Sequence, residues 1–178
     1  MTKFKLPDRD VEFLNALGVK WESGMSGGEG YVILHDVGVD TNLYEVQGGG
    51  DKTDILFILQ PGYPSSQIDM SSFYPYLSRV DKKSIPNLHY SFYHINGVDW
   101  QTWSRHRTGY DSWNPETDGI ATHLAYTDMF LQREVGMDQV DAGSSRLKST
   151  FIKKTGTGMK ILKFYEKPKT GRLFINMS

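Results

Sequence analysis

The run from Tyr93 to His123 gathers most of the side chains in this sequence that could do chemistry: His94, His106, His123, Asn96, Ser104, Arg105, Arg107, Trp100, Trp103 and Trp113. Ser104 and His106 match an acyl-accepting site, a hydroxyl with an imidazole that could take its proton. The base is needed because almost no serine is ionised near neutral pH. Spacing works against the pair, since residues two apart in an extended segment have Cα atoms roughly 7 Å apart. A bend would be required, or His94 or His123 brought round by the fold. Asn96 could donate its side-chain amide to an oxyanion, although Asn96-Gly97 is also a common turn dipeptide and the turn is the simpler account. Ser104 likewise has a turn or capping role open to it.

The aromatic and charged members of the run have two readings each. Trp100, Trp103 and Trp113 supply large apolar area, either closing the core beneath this segment or forming a partner-binding patch. Arg105 and Arg107 could meet an acidic surface or a ligand carboxylate, or simply be solvated. His123 stands beside Ile120 and Leu124 in a helical pattern, the usual setting of a hydrogen-bonded core histidine. No two of His89, His94, His106 and His123 have the i, i+4 spacing of a helical zinc site, so no metal is expected. No cofactor is expected either: the glycine-rich Ser23–Gly28 stretch lacks the Gly-Lys-Ser/Thr ending of a phosphate cradle and leads into a strand instead of a helix.

The chain has 178 residues, which suits one domain with a full core. No apolar run approaches the roughly 20 residues needed to cross a bilayer. Acids interrupt the N-terminal segment where an export signal would be apolar, so a cytoplasmic protein is expected. There is no cysteine, which excludes disulfides, zinc–thiolate sites and any thiol nucleophile or thioester on this chain. Charge divides the chain: residues 1–140 carry 11 basic and 19 acidic side chains, residues 141–178 carry 9 and 2. The basic segment is expected to be a separate β-rich extension. A lysine-coated edge that discourages aggregation accounts for it as well as a charged partner does, and nucleic acid is not an expected partner.

The elements that must hold the run follow from periodicity. Val11, Leu14 and Leu17 recur at helical spacing over Pro7–Leu17, with acids in the early turns and Gly18 as a stop. Strands are expected at Tyr31–Leu34, Leu43–Val46 and Ile55–Leu59 as an antiparallel meander, with glycine-rich turns between them. Pro61-Gly62-Tyr63-Pro64 then turns the chain sharply out of the sheet. Residues 65–84 read as a polar loop plugged by Phe73, Tyr74 and Tyr76. A fourth strand is expected over Leu88–His94. Asn114-Pro115-Glu116 is a helix-start signal, and Ile120, Leu124, Thr127, Leu131 and Val135 form a stripe closed by Gly136. Asp141–Ser145 reads as a turn, and strands are expected near Phe151-Ile152, Met159–Tyr165 and Leu173–Ile175.

This order, together with Pro61-Gly62-Tyr63-Pro64, the Trp100-Gln101-Thr102-Trp103-Ser104-Arg105-His106 run and Trp113-Asn114-Pro115 before Asp118–Leu124, resembles the prokaryotic ubiquitin-conjugating-like proteins called family E. The resemblance covers roughly residues 5–136. It implies an α+β ubiquitin-conjugating-like domain over residues 1–140: an N-terminal helix, a four-stranded antiparallel meander, a long active-site-like loop and a C-terminal helix. It also implies a pathway setting, with a ubiquitin-like protein, an adenylating activating enzyme and a metalloprotease resembling deubiquitinases. Conjugating enzymes carry a His-Pro-Asn motif about ten residues before their cysteine. Here His94-Ile95-Asn96 stands in that place, and Trp100–Ser104 stands where the cysteine would be. Two functions follow. In one, Ser104 receives the C-terminal acyl group of a ubiquitin-like protein as an oxyester, with His106 or His94 as base and Asn96 at the oxyanion. In the other, a non-catalytic adaptor binds the ubiquitin-like protein or its activating enzyme through Trp100, Trp103, Arg105, Trp113 and His123.

Overall fold

The computed structural model describes residues 4–107 and 112–136, together with the backbone of four strands within residues 151–176. The described residues are α+β, with a mostly antiparallel sheet and two helices. Helix α1 spans Asp8–Leu17, entered from Pro7 and ended by Gly18 in the left-handed conformation (φ 69°) that glycine adopts at little cost. Its Leu14 and Leu17 are buried.

Strands β1 (Trp21–Ser26) and β2 (Glu29–Val39) form a hairpin around Gly27-Gly28, and β2 pairs on its other side with β4 (Lys52–Leu59). Residues 55–59 of β4 are all buried because both sheet faces are covered. Ile55, Phe57 and Leu59 join the main core with the helices, while Leu56 and Ile58 join Tyr31, Ile33, Ile95 and Trp100 on the opposite face. Strand β3 (Tyr44–Val46) is not part of the expected meander. It pairs with β6 (Leu77–Arg79) in a separate two-stranded sheet, so β2 meets β4 directly.

The segment read as a polar loop holds a central strand, β5 (Ser71–Tyr74), between β4 and β8 (Val98–Trp103). Its two serines are tolerated inside because each hydroxyl has a partner: Ser71 with Thr127 at 2.7 Å, Ser72 with Thr102 at 2.8 Å. Much of the run read as an active-site-like loop is β8 itself, and Trp100, Gln101, Thr102 and Trp103 are buried in it. Strand β7 (Leu88–Ile95) pairs with β8 and forms the outer edge, with a register shift between His89 and Tyr93. Asn96 at the β7–β8 tip donates to Glu22 of β1 at 2.7 Å, so the sheet curls until its edge reaches its beginning. In the basic segment, β9 (Phe151–Thr155) pairs with β2 and with β10 (Gly158–Ile161), while β11 (Lys163–Glu166) pairs with β12 (Leu173–Asn176). The boundary expected at residue 140 and the Asp141–Ser145 turn lie outside the described residues.

Helix α2 spans Ile120–Glu134 and starts later than the Asn114-Pro115-Glu116 signal suggests. Asn114 instead opens a turn, its side chain accepting from Glu116 N at 3.0 Å. The residue before the helix is Gly119, which has no side chain to cap it. Asp10 of α1 fills the gap, one carboxylate oxygen accepting from Ile120 N at 3.0 Å and the other from Tyr63 OH at 2.6 Å. Arg9 beside it donates to the carbonyls of Pro115, Glu116 and Asp118. A Cβ on Gly119 would stand 2.4 Å from the Asp10 carboxylate, so glycine is required here by close approach. Gly119→Ala is expected to lower the unfolding free energy by about 1–3 kcal/mol. In an Asp10→Ala background the added loss should be smaller, because the clashing group is gone; equal losses in both backgrounds, by urea unfolding, would refute the packing account.

Candidate functional site

Strand β8 delivers Ser104 to the end of the sheet where β5 begins. The β5–β8 ladder ends at Ser71↔Trp103, so Asp69, two residues before β5, and Ser104–His106, just after β8, lie at the same end of the sheet. After Trp103 the chain leaves strand geometry, which supplies the bend that the two-residue spacing demands. Ser104 Oγ lies 3.0 Å from His106 Nε2, and His106 Nδ1 lies 2.6 Å from an Asp69 carboxylate oxygen. A carboxylate only accepts, so Nδ1 carries a proton, and in the neutral ring Nε2 then turns its lone pair towards the hydroxyl. The base is thus aimed at the serine.

The segment is fastened on both sides. Ser104 N donates to Asn87 O at 3.1 Å, from the approach to β7. Arg105 is only 14% exposed in its side chain and forms an ion pair with Glu134 on α2 while donating to the carbonyls of Pro86 and Ser104. Tyr126 OH, also from α2, donates to the His106 carbonyl at 2.9 Å. The Arg107 guanidinium lies over the rings of Trp113 and Tyr126 at 5.4 and 5.2 Å, and Trp113 donates to Pro64 O at 2.8 Å. These contacts leave Ser104, His106 and Asp69 at a partly open surface, with the backbones of Ser104 and His106 held.

The remaining residues of the run lie elsewhere. Asn96 and Gly97 form the two-residue turn of the β7–β8 hairpin, with φ of 56° and 76°. His94 bonds Asp99 at 2.8 Å near the same tip. The six residues of β8 separate this tip from Ser104, about 20 Å at ~3.3 Å per residue. Asn96 cannot reach an oxyanion on Ser104 from there, nor can His94 reach its proton. Trp100 and Trp103 are 2% and 0% exposed, which leaves no surface of either for a partner. Trp103 packs edge-on against Tyr44 and Phe73 and tilted against Phe130.

His123 is fully buried, its Nε2 3.2 Å from Ser71 Oγ and its ring edge-on to Phe57 at 4.9 Å. Burial, with the nearby Arg107 charge, pushes its pKa down to about 3, so it is neutral in the folded chain. Asp69, the residue that completes the site, is absent from the sequence reading. It sits 37 positions from His106, and only the β5–β8 register brings the two together. Among the described residues no three His, Asp or Glu side chains converge as metal ligands, and no helix is long and apolar enough to cross a membrane.

A curled antiparallel sheet with a helix at either end of the domain is consistent with the α+β fold of ubiquitin-conjugating enzymes. The chain belongs to the prokaryotic ubiquitin-conjugating-like proteins: the family model described as Prokaryotic E2 family E matches residues 6–134. No curated protein and no solved structure matches it. It has no cysteine with which to form the thioester of a conjugating enzyme.

The buried imidazole makes stability depend on pH. Because the folded pKa lies below the ordinary value of 6.5, the unfolded chain takes up a proton that the folded chain refuses. The stability held by neutral His123 is complete above about pH 6.5 and declines as pH falls towards about 3. Thermal unfolding of the parent chain and of His123→Gln at pH 7 and pH 4 should show the parent losing more stability on acidification. Equal losses would place the titration elsewhere.

Proposed function

We propose that this chain accepts the C-terminal acyl group of a ubiquitin-like protein on Ser104 and carries it as an oxyester. The observation that carries the reading is the 3.0 Å contact between Ser104 Oγ and His106 Nε2 on a conjugating-enzyme-like domain without cysteine. Ser104 Oγ attacks the activated acyl carbonyl presented by an adenylating activating enzyme, either as its acyl-adenylate or as a thioester on that enzyme. The hydroxyl proton passes to His106 Nε2, and AMP or the enzyme's thiolate leaves. An amine of a target lysine then attacks the Ser104 ester, forming the amide and returning the proton to Oγ through His106. A deubiquitinase-like metalloprotease would act upstream or downstream on the ubiquitin-like protein, in a cytoplasmic pathway.

The adaptor reading draws on a different observation. Tyr90 and Phe92 of β7 are 60% and 56% exposed; the Tyr90 ring meets Tyr76, and the Phe92 ring meets His89 and Tyr93. Large exposed aromatics of this kind suit a protein partner. In that case the ubiquitin-like protein or its activating enzyme binds here without bond formation.

Incubation with the cognate activating enzyme, the ubiquitin-like protein and ATP separates the two. The carrier forms an adduct that survives thiol reductant and is released by mild alkali, and Ser104→Ala forms none. If no adduct appears, or Ser104→Ala forms it equally, the carrier reading is wrong. The adaptor alone predicts a reversible complex that Ser104→Ala retains and Phe92→Ala weakens.

A further inference from the structure

Asp69 turns the serine–histidine pair into a three-membered relay, and that geometry has an outcome beyond amide transfer. We propose that Ser104, His106 and Asp69 form a serine-hydrolase triad that gives this chain an intrinsic esterase activity, with water as the acceptor and small, unhindered activated acyl esters as substrates. The inference rests on Ser104 being the nucleophile, as in the carrier function above.

Three features support it. First, the order of atoms is that of a working relay: carboxylate to Nδ1 at 2.6 Å, Nε2 to hydroxyl at 3.0 Å. A carboxylate on Nδ1 fixes the tautomer and stabilises the imidazolium that forms when Nε2 takes the serine proton. Second, the serine and the histidine come from backbone that is tied down independently, and the aspartate lies two residues from a sheet strand. Asp69 precedes central strand β5, Ser104 is held through Asn87, and His106 is held through Tyr126 of α2. The relay therefore does not depend on a ligand to assemble it. Third, the base is open to solvent: the side chain of His106 is 56% exposed and that of Asp69 34%. Water can reach Nε2 once Oγ is acylated, and the same exposure admits an ester that needs no deep pocket.

The steps balance. Ser104 Oγ adds to the ester carbonyl as its proton moves to Nε2; the tetrahedral adduct expels the alcohol or phenol, which receives that proton. Water then adds to the acylated Ser104 with its proton passing to Nε2. Collapse releases the carboxylic acid, and Oγ recovers the proton. Asp69 exchanges no proton in these steps and acts as a positioning residue, since it touches His106 and not the substrate.

The test uses the full chain alone with p-nitrophenyl acetate, and separately with a fluorophosphonate probe. Saturable p-nitrophenolate release and a fluorophosphonate adduct mapped to Ser104 are expected, and Ser104→Ala should lose both. Asp69→Asn should lower kcat by about 10²-fold or more with KM nearly unchanged, and Asp69→Glu should regain part of the loss while both variants melt with the parent. A purely structural Asp69 would lower stability without splitting kcat from KM. Absence of Ser104-dependent turnover and labelling, or an Asp69→Asn chain as active as the parent, overturns the triad. If the ATP-dependent oxyester still forms on Ser104 in that event, the carrier function stands and only the esterase falls; if neither occurs, both fall.

Discussion

A single buried carboxylate, that of Asp10, decides how the two helices and the sheet meet. It caps a helix more than a hundred residues further along the chain, accepts the Tyr63 hydroxyl at the exit from β4, and does so in a site where burial pushes its pKa up. Taking an ionised carboxylate out of water is costly unless every oxygen is bonded, and the hydrogen bonds from Tyr63 and Ile120 together with the Arg9 charge offset that cost. A side chain at Gly119 would press on the Asp10 carboxylate. That carboxylate thus couples α1, the Pro61–Pro64 turn and the start of α2 in one contact, and the direction of α2 follows from it.

That direction matters because α2 fastens the site from behind. Glu134 and Tyr126 project from it to Arg105 and to the His106 carbonyl, while its buried face packs on the sheet through Leu124, Phe130 and Leu131. On the other side, the β5–β8 ladder delivers Asp69. Ser104 and His106 therefore sit between two rigid elements, and the bend at Ser104–Arg107 is held by hydrogen bonds and ring contacts at nearly every residue.

Those parts of the fold governed by local pattern were legible in the sequence. Helix α1 has its stripe and Gly18, and the buried β4 has its apolar run. The later part of α2 has Ile120, Leu124, Thr127 and Leu131, and the family resemblance came from the same stretches. What escaped was set by partners far along the chain. Strand β5 hides behind Ser71 and Ser72, whose burial is possible only because Thr127 and Thr102 answer them. Strand β8 shows no alternation because Trp100–Trp103 are buried on both faces. Asn114 gives a true local signal that opens a turn, whereas the cap that starts α2 comes from Asp10. At the site, Ser104 and His106 were visible by type; Asp69 was not, since a strand register brings it there. Asn96 and His94 lie at the wrong end of β8 because the hairpin that contains them folds away from Ser104.

The register shift in β7 carries a consequence for how copies of this protein meet one another. An outer strand normally offers a row of free amides and carbonyls onto which a neighbouring molecule can zip. Between His89 and Tyr93 that row is broken, with Ser91 at a φ of 58°, so no incoming strand can stay in step along it. The break works against fibre-like growth along this edge in spite of its aromatic residues, and it favours partners that meet the border through side chains.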